Sequence, residues 1–98
     1  MKFDLSGRAE RDVERIGKWW QKHRDVGAAL FFEELEEAEK HLNANPESGQ
    51  PWRRRKGHLI RRWQLERTHY HVYYVYRPAD EQIWVLTVWG SARREPKL

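Results

Sequence analysis

The apolar residues of this chain follow two different periods, and the change falls at residues 45–52, "NPESGQPW". Before this segment, apolar side chains recur every three or four residues, as on one face of an α-helix. After it, β-branched and aromatic residues fill runs of strand length. Pro46 disfavours helix at Asn45 and marks the boundary. The chain therefore has helices first and strands second, an α+β arrangement.

The first half predicts a short strand and two amphipathic helices. Residues 2–6 alternate apolar and polar side chains and end at Ser6, a good helix N-cap. A second helix is expected to begin near Val26, with Asp25 as its cap. The apolar stripes comprise Ala9, Val13, Ile16 and Trp20, then Ala28, Phe31, Phe32, Leu35, Ala38 and Leu42. The short turn between them predicts an antiparallel hairpin whose charged faces, including the glutamates of 33–39, are solvated.

The second half predicts a three-stranded antiparallel meander, with strands over 58–67, 70–77 and 82–90. The last two strands are apolar on both faces, so we expect both sides of the sheet to be covered. In the third strand, alternation predicts one face with Ile83, Val85 and Trp89 and another with Trp84, Leu86 and Val88. The run 53–56, "RRRK", is expected in a loop between the hairpin and this curled sheet.

Length and composition limit what else the chain contains. At 98 residues it is a single domain, 1–98, since a second core needs roughly 50 residues more. It has no cysteine, which excludes disulfides and thiolate sites. His69 and His71 share a strand face but are too few to predict a metal, and no cofactor is expected. Without an apolar leader or a run of roughly 18 apolar residues, we expect a cytoplasmic protein.

Charge is divided unevenly along the chain. Residues 1–50 have 8 Lys and Arg against 11 Asp and Glu, a net of −3, and residues 51–98 have 11 against 4, a net of +7. A basic second half predicts a polyanionic or acidic partner for that half, either nucleic acid or an acidic protein segment.

The stretch "THYHVYYVY", residues 68–76, contains every tyrosine of the chain. Its alternation favours a core strand with hydroxyl groups at the rim of the core. The alternative is a platform for stacking nucleic-acid bases, which requires a solvent-facing side with Tyr73 and His71 as candidates.

Two segments carry a family resemblance: "L-x-R-T-x-Y-H-V-Y-Y" at 65–74 and "VLTVWGSARREPKL" at 85–98. Together with the element order, they make the chain similar to the RelE/ParE superfamily of type II toxin–antitoxin toxins, closest to the ParE type, over nearly its whole length. The resemblance implies growth arrest and plasmid stabilisation through inhibition of DNA gyrase. The alternatives are ribosome-dependent mRNA cleavage, as in RelE-type members, or a degenerate member that only binds its antitoxin.

The nuclease alternative can be compared residue by residue. Metal-free RNA cleavage needs a base, cations beside the phosphate and an acid. RelE-type toxins supply two lysines, two arginines and a C-terminal tyrosine. The matching positions are Arg62 and Gln64, His71, and Ser91 or Arg93, and no tyrosine follows Tyr76. This mismatch favours the ParE type, and Arg62, His71 and Arg93 are the catalytic candidates if the chain cuts RNA.

The resemblance also implies two partners, a cognate antitoxin and the target, which is DNA gyrase or, alternatively, the ribosome with mRNA. An antitoxin of this kind wraps its C-terminal segment around the toxin. The candidate antitoxin-binding residues, expected to be partly exposed, are Trp19, Phe31, Phe32 and Trp52. The candidate target-binding residues are Arg53, Arg54, Arg55, Arg93, Arg94 and Lys97.

Overall fold

Two helices and five strands make up the fold in the computed structural model, which describes residues 1–98 apart from the side chain of Asp25. The elements are β1 (Lys2–Leu5), α1 (Gly7–His23), α2 (Asp25–Ala44), β2 (Gln50–Arg55), β3 (His58–Leu65), β4 (Tyr70–Arg77) and β5 (Gln82–Gly90). The strands form an open mixed sheet in the order β1-β5-β4-β3-β2, with β1 parallel to β5 and the other neighbours antiparallel. The predicted α+β class, the helix hairpin and the three predicted meander strands are confirmed, but the sheet has five strands rather than the predicted four, because β2 adds a further strand to the meander.

The predicted N-cap of α1 is confirmed and also connects this helix to the sheet. Ser6 Oγ accepts a hydrogen bond from the Ala9 amide at 3.0 Å and donates one to the Leu86 carbonyl at 2.9 Å. α2 begins at Asp25, one residue before the expected start, and the capping role predicted for the Asp25 side chain lies outside the described residues. Neither helix, within the described part of the chain, is long and apolar enough to cross a membrane.

α1 and α2 form an antiparallel hairpin whose helices approach at two glycines. Phe32 lies against Gly17, and the indole of Trp20 lies against Gly27 near the turn. Trp20 Nε1 also donates a hydrogen bond to the Tyr70 hydroxyl at 3.0 Å, which ties the hairpin to β4. The two helices therefore pack closely against each other, and the hairpin covers one face of the sheet.

The core has two parts, one on each face of the sheet. Between the hairpin and the sheet are Ala9, Ile16, Phe31, Ala38, Leu42, Leu65, Val72, Tyr74, Ile83, Val85 and Val88. On the other face, Ile60, Tyr73 and Val75 are covered by Trp52, Leu86, Trp89 and the C-terminal Leu98. The prediction that both faces are covered is confirmed, and the C-terminal segment contributes part of the second cover.

The prediction that "RRRK" lies in a loop is wrong, because residues 50–55 form the edge strand β2. Pro51 and three successive arginines are unusual in a strand, so the sequence does not indicate one here. Proline and charged residues are nevertheless typical of an edge strand, because one side of such a strand has no pairing partner. Lys56 and Gly57 have φ values of 51° and 80°. Positive φ at both positions is the type I′ turn that joins β2 to β3 as a hairpin.

The faces predicted for the end of β5 are also wrong. Tyr73 pairs with Thr87 while the next residue, Tyr74, pairs with Val85, so Leu86 is an extra residue on β5. Such a bulge reverses the alternation that follows it. Val88 therefore packs under the hairpin and Trp89 lies on the opposite face.

Two carboxylates predicted to be solvated are buried instead. Asp12 of α1 accepts hydrogen bonds from the Thr87 hydroxyl and from the Val88 amide at 3.2 Å. Glu34 of α2 accepts hydrogen bonds from the Thr68 amide at 3.1 Å and hydroxyl at 2.6 Å, in the turn between β3 and β4. Bonds of this kind compensate burial of a charge and fix each helix to the sheet.

Candidate functional site

The face of the sheet opposite the helix hairpin concentrates positive charge. We call it the basic face and define it by Trp52, Arg53, Arg55, Arg62, His71, Tyr73 and Trp89. The C-terminal segment, residues 93–98, lies across it. Cations predicted to bind the target, although far apart in the sequence, meet on this face.

A bulge in β2 builds the first part of the basic face. The register shift at Trp52 places Trp52 and Arg53 on the same side of the sheet. The Trp52 ring meets Tyr73 edge-on, with centroids 4.9 Å apart, and the Arg53 guanidinium lies 4.1 Å from the Trp52 ring centroid. Arg54 pairs in register with Leu59 and lies on the other side. The arginine run therefore divides between the two faces, and Arg54 is separated from the other candidates.

The C-terminal segment crosses the basic face, and three of its backbone oxygens accept hydrogen bonds there. Trp89 Nε1 donates to the Arg94 carbonyl at 2.5 Å, Arg8 donates to the Lys97 carbonyl at 2.8 Å, and Arg55 donates to Leu98 O. The side chains of Arg94 and Lys97 are exposed. These two predicted target-binding cations are thus free to meet a partner while their backbone holds the segment in place.

Glu95, the acidic residue of the segment, contacts three residues of the basic face. Its carboxylate accepts a hydrogen bond from Trp52 Nε1 and lies 3.8 Å from Arg53 and 3.7 Å from Arg62. The next residue, Pro96, is buried. The segment therefore places the Glu95 carboxylate among cations and buries the apolar side chain of Pro96 beside it.

The nuclease candidates also lie on the basic face. Arg62 pairs in register with Tyr73, and His71 pairs with Trp89, over which the Arg93 guanidinium stacks at 3.8 Å from the ring centroid. Burial, and then the positive charge of Arg62, lower the pKa of His71 below its ordinary value of 6.5. His71 is therefore neutral at pH 7 and suited to accept a proton rather than to donate one.

The tyrosines do not form a stacking platform. Tyr73, the predicted candidate, has 1% of its surface exposed and lies under Trp52. Tyr70, Tyr74 and Tyr76 belong to the core beneath the hairpin. Burial raises the pKa of Tyr70 and of Tyr74. The prediction of a core strand is confirmed.

A second surface lies on the helix hairpin. Its exposed apolar side chains are Trp19, Val26 and Phe32, with 49%, 82% and 46% of their surfaces accessible, and we call them the hairpin surface. The expectation that Phe31 is partly exposed is wrong, since it is fully buried 5.3 Å from the Tyr70 ring. Trp52 lies on the basic face instead, and sequence reasoning missed Val26, which stands outside the apolar stripe of α2.

One of the comparisons with known proteins identifies a family. A search of curated protein sequences finds no match. The family model described as the ParE toxin of the type II toxin–antitoxin system parDE matches residues 3–95, nearly the whole chain. A match of that extent includes both helices, β2 to β5 and all of β1 except Lys2. The chain therefore belongs to the ParE toxin family of type II toxin–antitoxin systems.

Proposed function

We propose that this toxin inhibits DNA gyrase in the cytoplasm, thereby blocking replication, and that a cognate antitoxin neutralises it. The observation that carries the proposal is the gathering of arginines from β2, β3 and the C-terminal segment on the basic face, within a chain of the ParE family. A cationic surface with aromatic side chains suits a large, negatively charged protein–DNA target.

Gyrase is a better proposal than the ribosome because the RNA-cutting set is incomplete. Gln64 and His71 pair across β3 and β4, at the positions where RNA-cutting relatives carry a lysine and an arginine. Arg62, the retained cation, is engaged by Glu95 at 3.7 Å. The site therefore lacks the density of free cations that a developing phosphorane charge requires.

The proposal is tested with purified gyrase, relaxed plasmid and ATP. We expect the toxin to prevent supercoiling or to trap cleaved plasmid, and we expect the double variant Arg94→Ala/Lys97→Ala to need about three- to tenfold more protein for the same inhibition. These side chains can be removed without breaking the backbone contacts of the segment. Lys18→Ala/Lys22→Ala, which removes two exposed cations from α1, is the matched control and should inhibit like the unaltered protein.

The nuclease remains a second candidate because Arg62, His71 and Arg93 share the basic face. It predicts mRNA cleavage that requires a ribosome with an open A site, and loss of toxicity in His71→Ala. If gyrase is unaffected while such cleavage occurs, the gyrase proposal fails. If induced expression does not arrest growth at all, the chain is a member that binds an antitoxin without poisoning a target.

We further propose that the antitoxin binds the hairpin surface. Trp19 and Phe32 are large, exposed aromatic side chains, one on each helix of the hairpin, and exposed apolar side chains of this kind are typical anchors for an amphipathic segment. Trp19 is already held by stacking on His23, with ring centroids 4.3 Å apart, so binding costs it little conformational freedom.

Binding is measured against the product of the neighbouring gene, co-purified with the toxin. We expect Trp19→Ser or Phe32→Ser to weaken the complex by about thirtyfold or more, the loss typical of an aromatic hot spot. Ala79→Ser, which changes an exposed residue between β4 and β5, is the control. Unchanged affinity in both aromatic variants would place the antitoxin on another surface.

A further inference from the structure

The C-terminal segment covers a surface that is otherwise suited to a partner. Beneath it lie Ile60, Tyr73 and Val75, which are 2%, 1% and 6% exposed, and Leu98 is part of their cover. Arginines stand around this apolar floor on β2 and β3. An apolar centre with a charged rim is the usual anatomy of a protein-binding surface.

Two groups of the segment contact the basic face as a peptide ligand would. The Glu95 carboxylate lies between Trp52, Arg53 and Arg62. Three residues later, Leu98 packs its side chain against the floor while its backbone oxygen accepts a hydrogen bond from Arg55. The surface therefore recognises a carboxylate, an apolar side chain three positions on, and a backbone oxygen beside that side chain.

The segment complements the charge of this surface only in part. Arg94 and Lys97 bring two more cations to an already basic face, and their side chains are exposed. The Glu95 carboxylate is itself 57% exposed, so its ion pairs contribute little individually. A segment with carboxylates in place of these cations would fit the same surface better.

The surface also has room for more than the segment supplies. Beside Leu98 is an open pocket of about 220 Å³, whose floor includes Ile60 and Val75 and whose rim includes Lys56 and Arg77. The leucine side chain forms one wall of this pocket. A longer apolar residue, such as phenylalanine, would have both space and apolar contacts there.

We propose that the basic face is a peptide-binding surface which residues 94–98 occupy as a tethered ligand, and that an acidic, partly apolar segment of a partner protein binds there by displacing them. The tether gives the segment an effective concentration on the order of millimolar, so a weak internal ligand is enough to keep the surface closed. The inference does not depend on gyrase being the target.

The tethered state is tested by amide and indole NMR on the full chain. In the unaltered protein, residues 94–98 should show heteronuclear NOE values like those of the strands. Glu95→Gln/Leu98→Ala should release them, with NOE values falling to those of a free terminus, while Arg94→Ala/Lys97→Ala should keep them docked. Unchanged Tyr74 and Val72 resonances, on the other face of the sheet, would show that the variant is folded. A mobile segment in the unaltered protein would overturn the proposal.

The ligand chemistry is tested with a synthetic peptide of residues 91–98 carrying Arg93→Glu, Arg94→Glu and Lys97→Glu. It should bind Glu95→Gln/Leu98→Ala at least tenfold more tightly than it binds the unaltered protein, in which the tethered segment competes. The peptide of natural sequence should bind the variant more weakly than the acidic one.

Three results would contradict the proposal. The first is equal affinity of the acidic peptide for the unaltered protein and the variant. The second is no binding to a variant whose segment is free. The third is a clear preference of the freed surface for a single-stranded DNA octamer over the acidic peptide, which would make it a nucleic-acid surface. If the double variant is unfolded, Glu95→Gln alone supports the same measurements, since Glu95 lies outside both core clusters.

Discussion

Single polar residues decide how the layers of this protein are joined. Asp12 and Glu34 are each buried on a helix whose sequence pattern marks them as surface positions. Their partners are Thr87, a polar residue within the apolar strand β5, and Thr68, in the turn between β3 and β4. These two threonines were the only indication of the contacts in the sequence. Since a strand threonine does not specify its partner, the pairing becomes visible only when the helix is placed on the sheet.

His71 provides a residue-scale prediction. Its pKa is lowered by burial and then by Arg62. We expect Arg62→Gln to raise the pKa of His71, while burial still keeps it below 6.5. Arg61→Gln is the control, because Arg61 lies on the other face and donates to the Gly49 carbonyl. NMR titration of the His71 ring measures both, and an equal rise in the two variants would contradict the assigned cause.

The lowered pKa of His71 also makes the stability of the fold depend on pH. A histidine with a lowered pKa in the folded chain binds fewer protons there than in the unfolded chain. The contribution of His71 to the free energy of unfolding should therefore decrease as pH falls from 6.5 toward its folded pKa. Urea titrations at several pH values should show a smaller loss of stability over this window in His71→Gln than in the unaltered protein.

At the scale of elements, contacts between neighbouring elements outweigh the secondary-structure propensities of single residues in the helix hairpin and in the edge strand β2. β2 contains proline and consecutive arginines, which disfavour a strand by composition, yet the type I′ turn at 56–57 aligns it with β3. In the hairpin, Gly27 leaves space for the Trp20 indole, and Trp20 is fixed in turn by its hydrogen bond to Tyr70. Glycine, usually unfavourable in a helix, is required here.

Gly27→Ala tests this packing. A Cβ at residue 27 would overlap the Trp20 ring, so we expect a loss of about 1–3 kcal/mol in the free energy of unfolding. Gly7→Ala in the first turn of α1 is the control, because its Cβ would meet only the flexible end of Arg11 at 3.4 Å. That change should stabilise the protein by about 0.5–1 kcal/mol. Urea denaturation measures both, and stabilisation by both would show that Trp20 moves aside freely.

At the scale of the whole molecule, both chain ends complete the sheet. β1 pairs in parallel with β5, from the far end of the sequence, and the C-terminal segment lies across the opposite face. One of the four strand pairings therefore depends on contacts between residues more than 70 positions apart, such as Phe3 with Ile83. The C-terminal segment, with three cations and one carboxylate, is thereby brought against β2, which has three arginines. An acidic partner would reduce the repulsion between these like charges.

The sequence by itself determined the elements that repeat a simple period: both helices, the Ser6 cap, the three-stranded meander and the tyrosines in the core. These follow from spacing along the chain, which local physical chemistry fixes. Only the tertiary structure decided the faces after the β5 bulge, the edge strand β2, the burial of Phe31 and Asp12, and the docking of residues 94–98. Each of these features depends on strand register or on a contact between distant segments of the chain. Neither a one-residue shift in register nor a distant contact partner changes the spacing of apolar residues along the sequence.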